Sequence, residues 1–337
     1  MTCPFGFAWP PAFSSHLCVL SDPELVELEH ALAFPDMSAS SFALRRAGHA
    51  VTGIVPDTVH KILTSTAKLL RRLFSADVGY RDPDAPLAQI APGKRLWSGR
   101  RATVVLTHDL DTPECVTGLN AILSAEAERG LRSVVHVLTG GKYPIKSGWL
   151  QELVQRGVEI GLHGLTHDYA IGGRRPEVIR SHLLRAIDAL EPIRPHFYRA
   201  PAFAVSSRLA SEVASLGFRC DSSRTVYHPS YRSSRVLLPF RPLAPGSNLC
   251  ELPVAIEDSW LFRDWQLDER AAASYCDKVL ERALQSGGVV VVDTHPSILA
   301  KFPTFYPALL DRWLAQSDVW IAPPNALLDC FEALCVA

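Results

Sequence analysis

The chain reads as an α/β fold in which a parallel sheet closes into a barrel, and three observations predict it. From about Arg101 onward, apolar runs of strand length alternate with amphipathic stretches of helix length, and parallel crossovers need a covering helix each time. The helical stretches open on capping residues and close on glycine. Four of the strand-like runs give out into strings rich in Asp, His and Arg, where parallel α/β folds place their chemistry.

The elements follow in order. Thr103 to Thr107 is a buried-type strand; Thr112 is the N-cap of a helix with Pro113 at its first position and Glu114 in its first turn, periodic to Gly130. Ser133 to Leu138 is the second strand, Gly148 to Arg156 a helix, and Glu159 to His163 the third strand. Arg180 to Leu190 is a helix and His196 to Arg199 a short fourth strand. Ser206 opens a helix that Gly217 ends, and Phe218 to Asp221 and Leu249 to Val254 are strands five and six. Asp268 caps a long helix closed by Gly287-Gly288, ahead of Val289 to Asp293 as strand seven. Tyr306 to Ala315 is a helix, Val319 to Ala322 a last strand, and Asn325 to Leu334 a terminal helix. No fixed-period repeat is present, which disfavours a solenoid.

Residues 1–100 read differently, as a mainly helical extension with a helix from Ser21 to about Ala33 and another from Pro56 to about Phe74. The second carries Lys61, Lys68 and Arg72 on one side and Ile62, Leu69, Leu70 and Leu73 on the other. Such a helix can lie on anionic lipid, but packing on its own protein is the preferred reading. Asp82 to Arg101 is expected to be a linker into the barrel at 101–337.

Composition narrows the function. With 337 residues and 47% apolar content the chain can bury a barrel-sized core, and 34 Lys plus Arg against 35 Asp plus Glu give no field for nucleic acid. Met1 to Leu20 lacks a basic and then apolar leader, and the longest apolar run, around Val289 to Val292, is far short of a span of about 20 residues, so no transmembrane segment is expected. Eight cysteines without a C-x-x-C pair read as reduced thiols, and the expected location is cytoplasmic. Oligomeric state is not legible.

Asp109 and Asp111 share one face of a strand, because side chains alternate with period two. One carboxylate can bind a cation while the other takes a proton from bound water; the same D-x-D string caps helices and holds metal-bound nucleotide sugars in glycosyltransferases. His163 and His167 are the sole pair spaced by four among twelve histidines, and Gly164 permits the tight turn that aims both at one ion. Arg199 precedes Ala200-Pro201, and an arginine at a barrel mouth keeps a carboxylate ionised. His295 leaves the strongest β run and precedes Pro296.

In this order the strings resemble the NodB-homology polysaccharide deacetylases, carbohydrate esterase family four, over about Thr103 to Ala322. The resemblance implies a distorted (β/α) barrel of about seven strands. Thr107-His108-Asp109-Leu110-Asp111 looks like the D-x-D variant of the first motif, implying Asp109 as general base and Asp111 as metal ligand. His163 and His167 match the H-[ST]-x-x-H ligands with Gly164 in place of Ser or Thr, and Arg199-Ala200-Pro201-Ala202 is similar to R-x-P-Y, whose last residue acts through its N–H. Asp221-Ser222-Ser223 fits the fourth motif without its tryptophan, and Asp293-Thr294-His295 is similar to L-x-H with Asp for Leu.

What is implied is a divalent-metal hydrolase removing an N-acyl group, first of all acetyl, from an amino sugar or saccharide. Zinc suits an Asp, His, His set, with cobalt, nickel, manganese and iron also compatible. His295 gives a proton to the leaving amine, held by Asp221 or Asp293, while Ala202, His108 and Asp293 are expected on the substrate side. The motif departures fall on the acyl pocket and keep open a small-molecule amidohydrolase acting on a ureide, imide or formamide. A glycosyltransferase using Asp109 and Asp111 leaves the histidines without a role, and the β/α alternation argues against an iron oxygenase. A non-catalytic binding barrel is the remaining alternative, although candidates for every catalytic role are present.

Overall fold

The computed structural model describes residues 94–227, 237–243 and 247–336. Both expected N-terminal helices therefore lie outside the described residues. The strands are β1 (Ala102–Leu110), β2 (Ser133–Leu138), β3 (Glu159–Gly164), β4 (Phe197–Tyr198), β5 (Cys220–Asp221), β6 (Cys250–Glu251), β7 (Val254–Glu257), β8 (Val289–Thr294) and β9 (Val319–Ile321). They form one sheet in the order β6-β5-β4-β3-β2-β1-β8-β7, with every named pair parallel and β9 paired to the first residues of β1. The two ends of that order are joined by Leu252-Pro253 alone. The sheet thus curls into the distorted barrel expected.

The single strand expected at Leu249 to Val254 is two strands, and Pro253 is the cause. Proline cannot donate to a ladder. Before it, the Leu252 N–H donates to the Asp221 carbonyl at 2.8 Å; after it, Val254 donates to the Arg224 carbonyl at 2.8 Å and the chain pairs with β8. The same kink carries β7 three residues beyond the expected end, to Glu257.

Covering the sheet are α1 (Pro113–Ala127), α2 (Ser147–Gln155), α3 (Pro176–Asp188), α4 (Ser207–Ser215), α5 (Glu269–Ser286), α6 (Pro296–Leu299), α7 (Phe305–Leu314) and α8 (Pro324–Val336). The caps act as expected at Ser206, which accepts from the Leu209 N–H at 3.1 Å, and at Asp268, which accepts from Ala271 at 2.7 Å. Gly287 ends α5 at φ +72°, a left-handed conformation that favours glycine. At Thr112 the position is right, but the side chain makes no capping bond. A π-helix over Ser259–Asp264 was not expected from periodicity. The expected linker is packed from Trp97, which is fully buried and donates from Nε1 to the Gly287 carbonyl at 2.7 Å.

Period-two alternation sorts β1. Val105 faces the barrel interior with Trp97, Val134, Phe197 and Val291, whereas Val104 and Leu106 pack outward under α5 and α7. Lower down, the interior is apolar; toward the carboxyl ends of the strands it turns polar, and that end holds the site.

His108 follows the outward parity. Its Nδ1 is 2.6 Å from Thr294 Oγ1 and its Nε2 2.8 Å from Glu126 Oε1, while the Tyr306 and Ser133 hydroxyls donate to Glu126, each at 2.6 Å. The expectation of His108 on the substrate side is corrected: one residue from Asp109 along a strand is the opposite face. Burial opposes ionisation of Glu126, but His108, Ser133 and Tyr306 outweigh it and hold its pKa below the ordinary 4.5. Stability from this group is therefore present above 4.5 and lost as pH falls through the lower folded value. Glu126→Ala is expected to cost about 3–5 kcal/mol by stranding buried partners and to flatten the acid limb of stability, measured by denaturant unfolding at neutral and acidic pH.

Candidate active site

Arg199 leaves β4 and turns back into the barrel, completely buried. Its Nη1 is 2.7 Å from Asp293 Oδ1 and donates to Asp109 Oδ1 at 3.0 Å and Thr107 Oγ1 at 2.9 Å. Its Nε donates to the Ser222 carbonyl and its Nη2 to Ser222 Oγ, both at 2.9 Å. Burial opposes the charge on Arg199, yet Asp109 and Asp293 more than restore it. Asp109 responds in kind: burial disfavours its carboxylate, but Arg199, His163 and His136 hold its pKa well below the usual range. Asp109 is thereby held as a carboxylate.

Asp111 lies one strand repeat above Asp109, on the same face. Its Oδ1 is 3.2 Å from His163 Nε2 and its Oδ2 3.3 Å from His167 Nε2. The turn between the histidines runs through Gly164 at φ +117°, outside what an L side chain adopts readily. His163 Nδ1 is 2.9 Å from the Arg199 carbonyl; a carbonyl only accepts, so Nδ1 carries a proton and Nε2 faces Asp111, and although burial disfavours the charged ring, Asp109 and Asp111 raise its pKa. At that distance Nε2 and Oδ1 share either a proton or a cation. Two ligands each about 2.1 Å from one tetrahedral ion stand about 3.4 Å apart, so the observed separations fit a shared ion.

A second group, Asp109, Asp293 and His295, also brings ligand atoms within 4.8 Å of one another. There the Arg199 guanidinium already supplies the positive charge to both carboxylates.

His295 faces the Asp111 side of the site, Nε2 to Oδ2 at 3.6 Å. Its Nδ1 and its backbone N–H both engage Asp258, at 2.7 Å each. Burial would discharge the ring, but Asp258 and Asp111 raise its pKa well above the ordinary value. Asp258 is thus the partner expected at Asp221 or Asp293, and that expectation is corrected. Asp221 lies apart: it accepts from the Ser223 hydroxyl, which in turn accepts from the Ala200 N–H at 2.8 Å, bracing the turn after Arg199. Burial pushes Asp221 up to about 6. Asp293 contacts Arg199 and lines the cavity, without a hydrogen bond to His295 among the described residues.

Three residues were not expected. Asp258 follows β7, hidden by reading the strand as ended at Val254. His136 of β2 stands beside Asp109 by register, Nδ1 3.1 Å from Oδ1, with burial and Arg199 lowering its pKa to about 4 so that the ring is neutral. A histidine inside the apolar run SVVHVL was the available signal. Glu257 pairs by register with Asp293.

Asp109, Asp111, His163, His167, Glu257, Asp293 and His295 line a cavity of about 110 Å³, with Tyr169, Ala200, Ala202, Phe203 and Arg263. Ala202 sits at φ +50° within the turn Pro201–Phe203, a strained conformation of the kind that clusters at functional sites.

A parallel barrel with two carboxylates, three histidines and a buried arginine at the carboxyl ends of its strands has the parts of a hydrolase. Residues 98–220 match the family model described as polysaccharide deacetylase, so the resemblance read from the motif strings holds over the segment from Asp109 to Arg199. No curated protein sequence matches the chain. Among solved structures, one from Mycobacterium smegmatis assigned as a polysaccharide deacetylase is 20% identical with a TM-score of 0.62, covering 74% of this chain and 96% of its own. PuuE allantoinase is 14% identical at a TM-score of 0.60, covering 75% and 98%. A protein of Pseudomonas aeruginosa PAO1 assigned as a polysaccharide deacetylase is 14% identical at 0.59, covering 75% and 98%. The fold is common to all three.

Calorimetric titration of chelator-treated protein with zinc is expected to give one tight equivalent, and Asp111→Ala or His167→Ala to weaken it at least tenfold, on the scale by which even outer partners alter metal affinity.

Proposed function

We propose that the protein is a metal-dependent hydrolase that removes an N-acyl group from an amino sugar or saccharide, with zinc as the first candidate ion. The observation that supports this most is that Asp109, held ionised by Arg199, and His295, held protonated by Asp258, line one small cavity together with Asp111, His163 and His167. A hydrolysis that takes a proton from water and gives one to a leaving amine needs two such groups with their pKa values driven apart. Asp111, His163 and His167 would hold a divalent ion, which would lower the pKa of a water and polarise the scissile carbonyl.

The chain's own residues account for the proton movements. Asp109 accepts the proton of the attacking water, and His136 and Arg199 fix its Oδ1 so that Oδ2 is the working atom. His295 donates from Nε2 to the departing nitrogen, since Asp258 occupies Nδ1. The Ala202 backbone lies at the cavity, where the family resemblance assigns an N–H to the developing oxyanion. Tyr169, 43% exposed and edge-on to His167 at 4.5 Å between centroids, offers a face at the mouth for a sugar ring.

A small-molecule amidohydrolase is the second reading, favoured by the size of the cavity, which admits a group of a few heavy atoms. A glycosyltransferase built on Asp109 and Asp111 would leave the Asp258–His295 pair without work. Among the described residues no helix is long and apolar enough to cross a membrane; cytoplasmic location remains the expectation.

The zinc- or cobalt-loaded protein is expected to release acyl groups from a panel of N-acylated amino sugars and small amides. Asp109→Asn should retain metal while losing about 10²–10⁴ in kcat, the usual weight of a general base; full activity in that variant would sink the assignment. Asp258→Asn removes the charge that raises the His295 pKa, so the alkaline limb of the pH–rate profile is expected to move to lower pH and kcat to fall.

A further inference from the structure

The inner wall of the cavity is unusual for a pocket meant to take a methyl group. Glu257 and Asp293 are register partners on the adjacent parallel strands β7 and β8, so both carboxyls project from the same side of the sheet, and both line the cavity. Glu257 is 6% exposed and Asp293 fully buried. One oxygen of each has a known neighbour: the Ser259 hydroxyl donates to Glu257 Oε1, and Arg199 pairs with Asp293 Oδ1. The others, Glu257 Oε2 and Asp293 Oδ2, are buried with no hydrogen-bond partner among the described residues. Leaving such atoms unpaired is costly, and an acetyl methyl placed against them would do nothing to relieve it.

Resting on the hydrolase reading above, we propose that Glu257 and Asp293 form a polar acyl-recognition wall, which selects amides whose acyl carbon bears an N–H donor, a carbamoyl or ureido group, over acetyl. Burial pushes Glu257 up to about 7 and Asp293 upward as well. A carboxylic acid offers one donor and one acceptor, the complement of the N–H and C=O edge of a carbamoyl group; in its ionised form it accepts from the N–H alone. The reaction balances without a further reactant. Water oxygen bonds to the carbamoyl carbon, the bond from that carbon to the leaving nitrogen breaks, His295 protonates that nitrogen, and amine and carbamate are the products. A site built to pair with a substrate N–H rejects the analogue that lacks it more strongly than an apolar pocket rejects an extra methylene.

The test compares the N-carbamoyl and N-acetyl derivatives of the same amine, glucosamine, with the zinc-loaded full chain. Carbamoyl hydrolysis is expected to exceed acetyl hydrolysis at least tenfold in kcat/KM. Glu257→Leu should collapse that ratio toward one, and Glu257→Gln, whose amide keeps a donor and an acceptor, should preserve most of it. Calorimetry of the wild-type protein gives a readout that needs neither variant nor turnover: methylurea should bind more tightly than acetamide, with or without metal. Wild-type preference for acetyl, a ratio unmoved by Glu257→Leu, or equal binding of the two small amides overturns the proposal while leaving the hydrolase reading intact. A second equivalent of zinc lost in Glu257→Gln would recast the wall as a cation site and overturn it too. Absence of hydrolysis with either derivative or any other N-acyl amide would overturn the hydrolase reading itself.

Discussion

Everything at the carboxyl end of this barrel depends on a guanidinium that has no access to water. An arginine cannot neutralise itself by losing its proton, so the chain must surround Arg199 with carboxylates and oxygen acceptors. It draws Asp109 and Thr107 from β1, Asp293 from β8 and Ser222 from the segment after β5 into one contact set. Four regions of the chain are thereby fixed in relative height, and the Arg199 carbonyl fixes the orientation of the His163 ring. One residue sets the ionisation of Asp109 and the orientation of the His163 ring.

The second constraint is the pleat. On β1 it delivers Asp109 and Asp111 to the cavity and sends His108 into a buried network with Glu126 and Tyr306 on the far face. On β7 and β8 it puts Glu257 and Asp293 side by side. His136 reaches Asp109 because the strand beside it carries Gly161, where a Cβ would come within 2.5 Å of the imidazole. A missing side chain on β3 makes room for a present one on β2, and a neutral ring at that place braces Asp109 without adding charge.

Charge and burial act oppositely on neighbouring carboxyls of the cavity. Around Asp109 the positive groups prevail and the carboxylate stays ionised; around Asp293 and Glu257 burial prevails and carboxyls are pushed toward the neutral form. Opposite pKa trends in side chains a few ångströms apart are a mark of acid–base sites. Here they set Asp109, held ionised, apart from Glu257 and Asp293, pushed toward the neutral form.

The strand and helix order from β1 onward was legible because it rests on local periodicity, N-caps such as Asp268 and a C-terminal glycine such as Gly287, all of which act within a few residues. The pairing of Asp109 with Asp111 and of His163 with His167 was legible for the same reason: each pair lies within one strand or one turn. The outward direction of His108 was available from the same alternation. Partner identity across the barrel was not: Asp258 reaches His295 only because Pro253 switches the chain from β5 to β8, and Glu257 meets Asp293 only through the register that follows. Sequence sets which residue types are present and which face each takes, since those depend on backbone geometry. The tertiary structure decides which faces meet, since strand register and a buried ion pair are satisfied only across distant segments.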